Sequence, residues 1–242
     1  MTIKRHHPSS IEDYLPFFYD IGVECPYGLR RMAIYRQQQF AVLPDSLLGC
    51  FFAAGFRRNG NCLYTMVCPG CQSCIPIRLY PAEFRPNRSQ KRVLRRNRDM
   101  EITMGPLHIT EEKLALCGTF LEARFPVRGN TAVGYYGTFF ANSLCSTIEI
   151  EYRLGGRLVG VGIVDIGGDW LNAVYCYYDP AEEKRGLGTF NILYLIDLCR
   201  NNGITALYLG YLIREVSAMN YKERFRPHYL LENGVWTRYE RS

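Results

Sequence analysis

Residues 146–178 constrain the fold more than any other part of this chain. STIEIEYRL alternates apolar and polar residues, Gly155-Gly156 follows, and RLVGVGIVDI runs through Gly167-Gly168-Asp169 into WLNAVYCYYD. Alternation marks strands that bury one face, and paired glycines supply the positive φ of tight hairpin turns. An antiparallel meander is therefore expected. Arg185-Gly186-Leu187-Gly188 then opens LGTFNILYLIDLCRNNG, which reads as a helix carrying Phe190, Leu193, Tyr194, Ile196 and Leu198 and ending at Gly203. ALYLGYL reads as a short buried strand, VSAMNYKERF as a helix, and HYLLENGVWTRY as a hairpin turning at Asn233-Gly234. The class is α+β.

The RGLG stretch carries the first chemical signal. Small residues after a strand let backbone N–H groups point outward, and a helix N-terminus favours an anion. A meander, an RGxG turn and a helix is the acyl-donor arrangement of the GCN5-related acetyltransferase fold, a mixed sheet with flanking helices. A plain βα turn has the same local signature.

The second signal is RPNRSQKRVLRRN, from Arg85 to Asn97, which contains no acid. The chain's net charge is only +6, so this concentration is local. Ser89 or Asn87 can cap a helix through KRVLRRN, on which Arg88, Arg92, Arg95 and Arg96 share a face. A solvated charged face is the usual fate of such a run. Yet adjacent like charges repel by about 0.2–0.5 kcal/mol per close pair. Phosphates offset that through bidentate contacts and counterion release, so a polyanion partner is expected, bound by Arg85, Arg88, Lys91, Arg92, Arg95 and Arg96.

Ten cysteines punctuate the chain. Cys68, Cys71 and Cys74 are spaced to point at one centre, with Cys25 the best fourth ligand and Cys62 behind it. Thiolates in this pattern suit zinc or an iron–sulfur cluster, and reduced structural thiols remain the alternative. Cys117, Cys145, Cys176 and Cys199 lie among apolar neighbours and read as small core residues. The opening MTIKRHHPSSIEDYL lacks the apolar core of a signal peptide, and no segment is long enough to cross a bilayer, so a cytoplasmic protein with reduced thiols is expected.

Further upstream, residues 1–80 read as an irregular unit. DSLLGCFFAAGFRRNG forms a helix capped at Asp45 or Ser46 that ends near Gly55 and leads to a basic turn at Arg57 and Arg58; LYTMV and IPIRLY are strands. EEKLALCGTFLEARF has helical spacing from Glu111. The domains are taken as 1–100, Cys-containing and basic, and 101–242, acetyltransferase-like and catalytic.

CPYGLRR, GFRRNGNCLYTMVCPGCQSCIPIRL, FRPNRSQKRVLRRN, VYCYYDPAEEKRGLGTFNILYLIDLCR, LYLGYLI and MNYKERFRPHYLL together resemble the aminoacyl-tRNA–protein transferases. The likeness is to the eukaryotic arginyltransferases and, closer still, to the bacterial aspartate/glutamate leucyltransferases. It implies that an amino acid, leucine by the spacing CPGCQSC, passes from the 3′ end of a tRNA to the α-amine of a protein beginning with Asp or Glu. The product is an N-terminus read by a protease system (an N-degron). Arginine transfer to the same acceptors is the nearest alternative. A coenzyme-A-dependent N-acetyltransferase and a non-enzymatic RNA-binding module with a zinc knuckle lie further off. The eukaryotic relatives carry a CxxC and an adjacent Cys pair implicated in a cluster, an arrangement this chain departs from. No cofactor is implied for the chemistry itself.

Within the matching motifs, Tyr175, Tyr178, Asp179, Tyr211 and Lys222 are the candidates for the catalytic site. Arg185, Gly186 and Gly188 join the tRNA-binding set. Recognition of an acidic first residue needs a cation in a pocket, and Arg57, Arg58, Arg78 and Arg226 are the candidates.

Overall fold

A computed structural model describes residues 10–126 and 129–240. Residues 1–9, most of the stretch read above for a leader, lie outside the described residues.

Two sheets organise the chain. The smaller has four strands, β1 (Tyr19–Glu24), β2 (Met32–Gln39), β3 (Arg57–Asn59) and β4 (Cys62–Met66), in the order β1-β2-β4-β3. Helix α1 (Asp45–Ala53) connects β2 to β3. The larger has eight strands: β5 (Ile75–Leu79), β6 (Glu101–Pro106), β7 (Ser146–Leu154), β8 (Arg157–Ile166), β9 (Trp170–Tyr178), β10 (Ala206–Leu212), β11 (His228–Glu232) and β12 (Val235–Tyr239). Their order is β12-β11-β5-β10-β9-β8-β7-β6. Strand β5 precedes the boundary drawn at residue 100, yet it sits between β10 and β11 and pairs with both.

The expected meander is β7-β8-β9, antiparallel throughout. Gly155 and Gly156 take φ of 52° and 79°, and Asn233 and Gly234 take 51° and 78°. Both pairs supply the two positive φ values that a tight hairpin turn demands. Gly167 is required for a different reason: a Cβ there would meet the Trp170 ring at 2.1 Å. Helix α2 (Arg88–Arg96) starts with a capping box, in which the Asn87 side chain accepts from Gln90 N–H at 2.9 Å and Gln90 Oε1 accepts from Asn87 N–H at 2.8 Å. Helix α3 (Glu111–Arg124) is capped by Thr110. A short turn, α4 (Ala132–Gly134), runs into a π-helix over Tyr135–Phe140. Helix α5 (Leu187–Asn201) returns the chain so that β10 lies parallel to β9.

Three apolar clusters hold these layers together. Leu187, Phe190, Leu193 and Ile196 of α5 pack on one face of the large sheet with Leu207, Leu209 and Leu212. Leu48, Phe51 and Phe52 of α1 pack on the other face with Trp170 and Tyr208. Cys117, Phe120 and Leu121 of α3 join Tyr136, Phe140 and Tyr177 beside β8 and β9. Cys117 and Cys199 are buried as expected, while Cys145 and Cys176 are half-buried.

Three expectations fail. Helix α1 is not capped by Asp45 or Ser46: Pro44 stands at its N-cap and no side chain caps it. VSAMNYKERF is not one helix but a short turn, α6 (Ser217–Asn220), followed by a 3-10 turn over Tyr221–Arg224. Residues three apart stack on one side of a 3-10 turn, and Lys222 and Phe225 are both buried. Arg57 and Arg58 do not form an exposed basic turn; they lie in β3, and both are buried.

Arg58 ties the two sheets together. It donates to Asp165 of β8 through Nε at 2.7 Å and through a terminal nitrogen at 2.6 Å, and to the Phe139 carbonyl at 2.8 Å. Asp165 also accepts from Thr147 at 2.7 Å and Asn172 at 3.0 Å. Both ionic side chains are fully excluded from solvent. Removing one member of such a pair strands the other charge, at a cost of about 3–5 kcal/mol. Asp165→Ala is therefore expected to lower unfolding stability by that amount in denaturant titration. A loss below about 1 kcal/mol would show that the pair does not lock the sheets together.

Candidate functional site

The centre of the large sheet comes apart. β9 and β10 pair in parallel only at Trp170/Ala206, Leu171/Leu207 and Asn172/Tyr208. Both continue beyond that point, β9 to Tyr178 and β10 to Leu212, without pairing to each other. The opening leaves backbone groups of β9 from Ala173 onward facing a gap rather than a neighbour in the ladder. A carbonyl seated there could be polarised by a backbone N–H.

The RGLG turn stands at the same end. Gly186, at φ 69°, caps α5 and makes no side-chain cap bond. Gly188 lies under the Tyr178 ring, whose Cε1 would be 3.7 Å from a Cβ added there. Helix α2 is bolted to this turn. Asn97 Nδ2 donates to the Arg185 carbonyl at 3.0 Å, a terminal nitrogen of Arg185 donates to the Arg96 carbonyl at 2.8 Å, and Arg96 donates to the Lys184 carbonyl. Gln90 holds the other side through the Arg224 carbonyl at 3.2 Å. Val93 would be 3.5 Å from a Cβ on Gly186. Arg88, Lys91, Arg92 and Arg95 remain exposed, and among the described residues none of them makes an ion pair. Arg85 turns back to the Ala82 and Phe84 carbonyls. The Arg185 guanidinium is committed to Asp99 at 2.9 Å and Glu182 at 3.1 Å. It fastens the turn to the basic helix rather than standing free for a ligand.

The candidates for catalysis divide. Tyr175 lies in an aromatic nest with Tyr135, Phe139, Phe140 and Phe120, where burial pushes its phenol far above the ordinary range. Tyr178 accepts from Arg124 at 2.6 Å. Burial raises its pKa, and the Arg124 guanidinium opposes the rise. Asp179 accepts from Ala181 N–H at 2.9 Å and from Arg157 at 2.6 Å. One oxygen caps the turn that starts at Pro180, and the other is held by Arg157 of β8, so both are spent on structural partners.

Tyr211 and Lys222 belong to a different group, on the other face of β10. Tyr211 meets Tyr64 edge to face with centroids 6.4 Å apart. Arg57 lies 5.4 Å from the Tyr211 ring centre. Burial raises the Tyr211 phenol to about 12. Lys222 Nζ donates to the Tyr211 carbonyl at 2.7 Å. Burial, then the nearby Arg57 charge, lowers its pKa to about 7. Arg57 donates to the carbonyls of Phe56 at 2.9 Å and Gly210 at 2.6 Å, and its Nε has no hydrogen-bond partner.

Of the other cations expected to read an acidic residue, Arg58 is consumed by Asp165. Arg78 stacks between Trp236 at 4.1 Å and Tyr80 at 4.9 Å. Arg226 donates to the Glu223 and Glu240 carbonyls. The pairing of Arg57 with Lys222 joins β3 to the 3-10 turn across most of the chain, and no local sequence pattern announces it. Arg124, the partner of Tyr178, was missed for the same reason.

Cys25, Cys68, Cys71 and Cys74 are all free thiols near one another. Burial and then the neighbouring Cys68, Cys25 and Cys71 push the Cys74 thiol up to about 12. Cys71 shifts the other way, its thiolate favoured by hydrogen bonding at Ser73. Cys68 Sγ accepts from Ile34 N–H at 3.3 Å. Among the described residues no group of three or more His, Cys, Asp or Glu side chains is placed to hold a metal ion. As they stand, these thiols do not form the site expected for zinc or a cluster.

Comparison with known proteins identifies the family. Residues 23–92 match the family "Arginine-tRNA-protein transferase, N terminus", and residues 112–232 match "Arginine-tRNA-protein transferase, C terminus". The aspartate/glutamate leucyltransferase of Gluconacetobacter diazotrophicus is 40% identical over 93% of this chain and 88% of its own length. That of Thiobacillus denitrificans is 36% identical over 92% of this chain and 94% of its own. Among solved structures, L-PGS from Bacillus licheniformis is similar at 11% identity with a TM-score of 0.45, over 69% of this chain and 59% of that one. No helix among the described residues is long and apolar enough to cross a membrane. With both halves matched in order, and full-length relatives alike at this level, the chain belongs to the aminoacyl-tRNA–protein transferase family, an aminoacyltransferase of the arginyl- and leucyl-transferring kind.

Proposed function

We propose that this protein transfers leucine from leucyl-tRNA to the α-amine of proteins whose first residue is Asp or Glu, in the cytoplasm, marking them for N-degron proteolysis. The observation that carries the reading is the fastening of the cationic helix α2 to the RGLG turn at the head of α5. Arg88, Lys91, Arg92 and Arg95 meet the phosphates of the tRNA end, while the gap between β9 and β10 receives the leucyl ester. The leucyltransferase names of the relatives point to the same donor and acceptor.

The reaction is aminolysis of an activated ester. The amine nitrogen attacks the leucyl carbonyl carbon, a C–N bond forms, the C–O bond to the ribose breaks, and the proton lost by nitrogen reaches the leaving oxygen. An α-amine titrates at about 7.7–8.0, so about a tenth is already deprotonated at neutral pH. Strong base catalysis is unnecessary. Holding amine and ester together can contribute about 7–11 kcal/mol. No cofactor enters this scheme. Tyr178, beside Gly188, orients the ester from the gap's edge, Tyr175 supports that strand from its aromatic nest, and the 2′-hydroxyl beside the ester can relay the proton.

Offered tRNAs separately charged with radiolabelled Leu, Arg and Phe, and peptides beginning with Asp, Glu, Lys or Ala, the protein should label only the Asp and Glu peptides, and with leucine. Labelling from arginyl-tRNA alone would replace the donor, and acetylation from acetyl-coenzyme A would replace the reaction class.

The helix has its own test. Each phosphate contact contributes about 0.7–0.9 to the slope of log affinity against log salt. The double substitution Arg92→Ala and Arg95→Ala should weaken leucyl-tRNA binding at low salt and flatten that slope by about 1.5 in filter-binding titrations. An unaltered slope would remove α2 from the tRNA interface.

A further inference from the structure

Among the described residues the buried Lys and Arg side chains have anions, except for one adjoining pair. Arg58 has Asp165, and Lys113 has Glu149 and Glu151. Arg57 and Lys222 are 4% and 8% exposed, lie close enough for one to depress the pKa of the other, and make no ion pair among the described residues. Their bonds go to neutral partners. Arg57 donates to the Phe56 and Gly210 carbonyls, and Lys222 to the Tyr211 carbonyl and weakly to Met219 Sδ at 3.8 Å. The Arg57 Nε is buried with nothing to bond. Two like charges held together away from water are costly, and an arrangement of this kind persists where a ligand supplies the missing charge.

The two cations converge on Gly210. Its φ is 78°, and a Cβ built there would stand 3.7 Å from Lys222 Nζ and 4.0 Å from Arg57 Nε. Gly210 therefore keeps the space between them open. It lies two residues past Tyr208, the last residue of β10 paired to β9, so the site borders the gap proposed for the ester. Tyr64 and Tyr211 stand beside Arg57. Tyr27 and Tyr35 lie near Tyr64 and Tyr211, and all but Tyr211 keep part of their surface exposed, so this wall reaches solvent. The basic helix is elsewhere: its Val93 belongs to the α5 face of the sheet, whereas Tyr208 and Tyr211 turn toward α1 and β4.

Resting on the leucyl-transfer reading, we propose that Arg57 and Lys222 form the seat for the side-chain carboxylate of the acceptor's first residue, with Gly210 leaving room for it. The seat makes Lys222 a specificity-determining residue rather than a general base. Its charge repels the α-ammonium of the donor leucine and accepts a carboxylate. The phosphates of the tRNA meet α2 on the other face. An Asn or Gln acceptor has the shape without the charge and leaves both cations uncompensated, a difference worth about 100-fold or more in kcat/KM. Carboxylate binding also draws Lys222 back to its charged form. Among the described residues the charged group that faces it is Arg57 from β3, while β10 offers it the neutral Tyr211 carbonyl. The empty seat loses its proton near neutrality, so KM for an Asp peptide should rise as pH climbs above about 7.

The experiment compares the full-length wild type with Lys222→Met and Lys222→Arg. It measures leucyl transfer from pre-charged tRNA to peptides beginning with Asp, Asn and Ala, together with leucyl-tRNA affinity and thermal melting. Lys222→Met should lose about 100-fold in kcat/KM on the Asp peptide, mostly through KM, and its Asp:Asn preference should fall towards one. Its leucyl-tRNA affinity should hold, and it should melt at a higher temperature, because an uncompensated buried charge has gone. Lys222→Arg should retain the preference. A Lys222→Met protein that melts lower and keeps the wild-type Asp:Asn ratio makes Lys222 a structural cation and overturns the proposal. A wild type that transfers leucine to none of the peptides overturns the parent reading instead, and is recognised by failure before any substitution is made.

Discussion

The proposed site depends on two neighbouring strands ceasing to pair. β9 and β10 share three residue pairs and then separate, although each runs on for several residues. A sheet broken at its middle would normally leave backbone groups unsatisfied. Here β8 continues to pair with the far edge of β9, and β5 takes the far edge of β10. The gap is thus lined by one free edge from each strand, held by rigid neighbours. A site on such a frame suits a reaction whose main requirement is that two reactants be held still.

The sheet also separates two treatments of positive charge. On the α5 face the cations of α2 are exposed and numerous, an arrangement suited to a polyanion that arrives with its own counterions. On the opposite face Arg57 and Lys222 are few and buried, and neither has an ion-pair partner among the described residues. In the proposed reading the first set offers affinity with little selectivity, and the second offers selectivity for a single charge. Arg58 lies one residue from Arg57 and faces the other way, because successive residues of a strand alternate sides. That single step turns one arginine into a lock between sheets and the other into a candidate ligand group.

Sequence pattern disclosed what is local and periodic. The meander, the α5 helix, the Asn233-Gly234 hairpin and the Asn87 cap all announce themselves through spacing or turn chemistry, and all are present. The long motifs identified the family, which the comparisons establish. What stayed hidden was long-range. GFRRNG looks like a basic turn, since nothing within it says that Asp165 and Gly210 await the two arginines. MNYKERF looks helical, yet its lysine is drawn inward to β10. Strand β5 carries no sign that it will lie between β10 and β11.

The central claim is that leucyl-tRNA enters along α2 and presents its ester in the gap between β9 and β10. A crystal structure with an RNA acceptor-stem helix ending in a leucyl group joined by a stable amide would test it most directly. The account predicts backbone phosphates against Arg88, Arg92 and Arg95 and the leucyl carbonyl between Val174–Tyr178 and Gly210. An acceptor stem lying on the α1 face, with the gap empty, would contradict it.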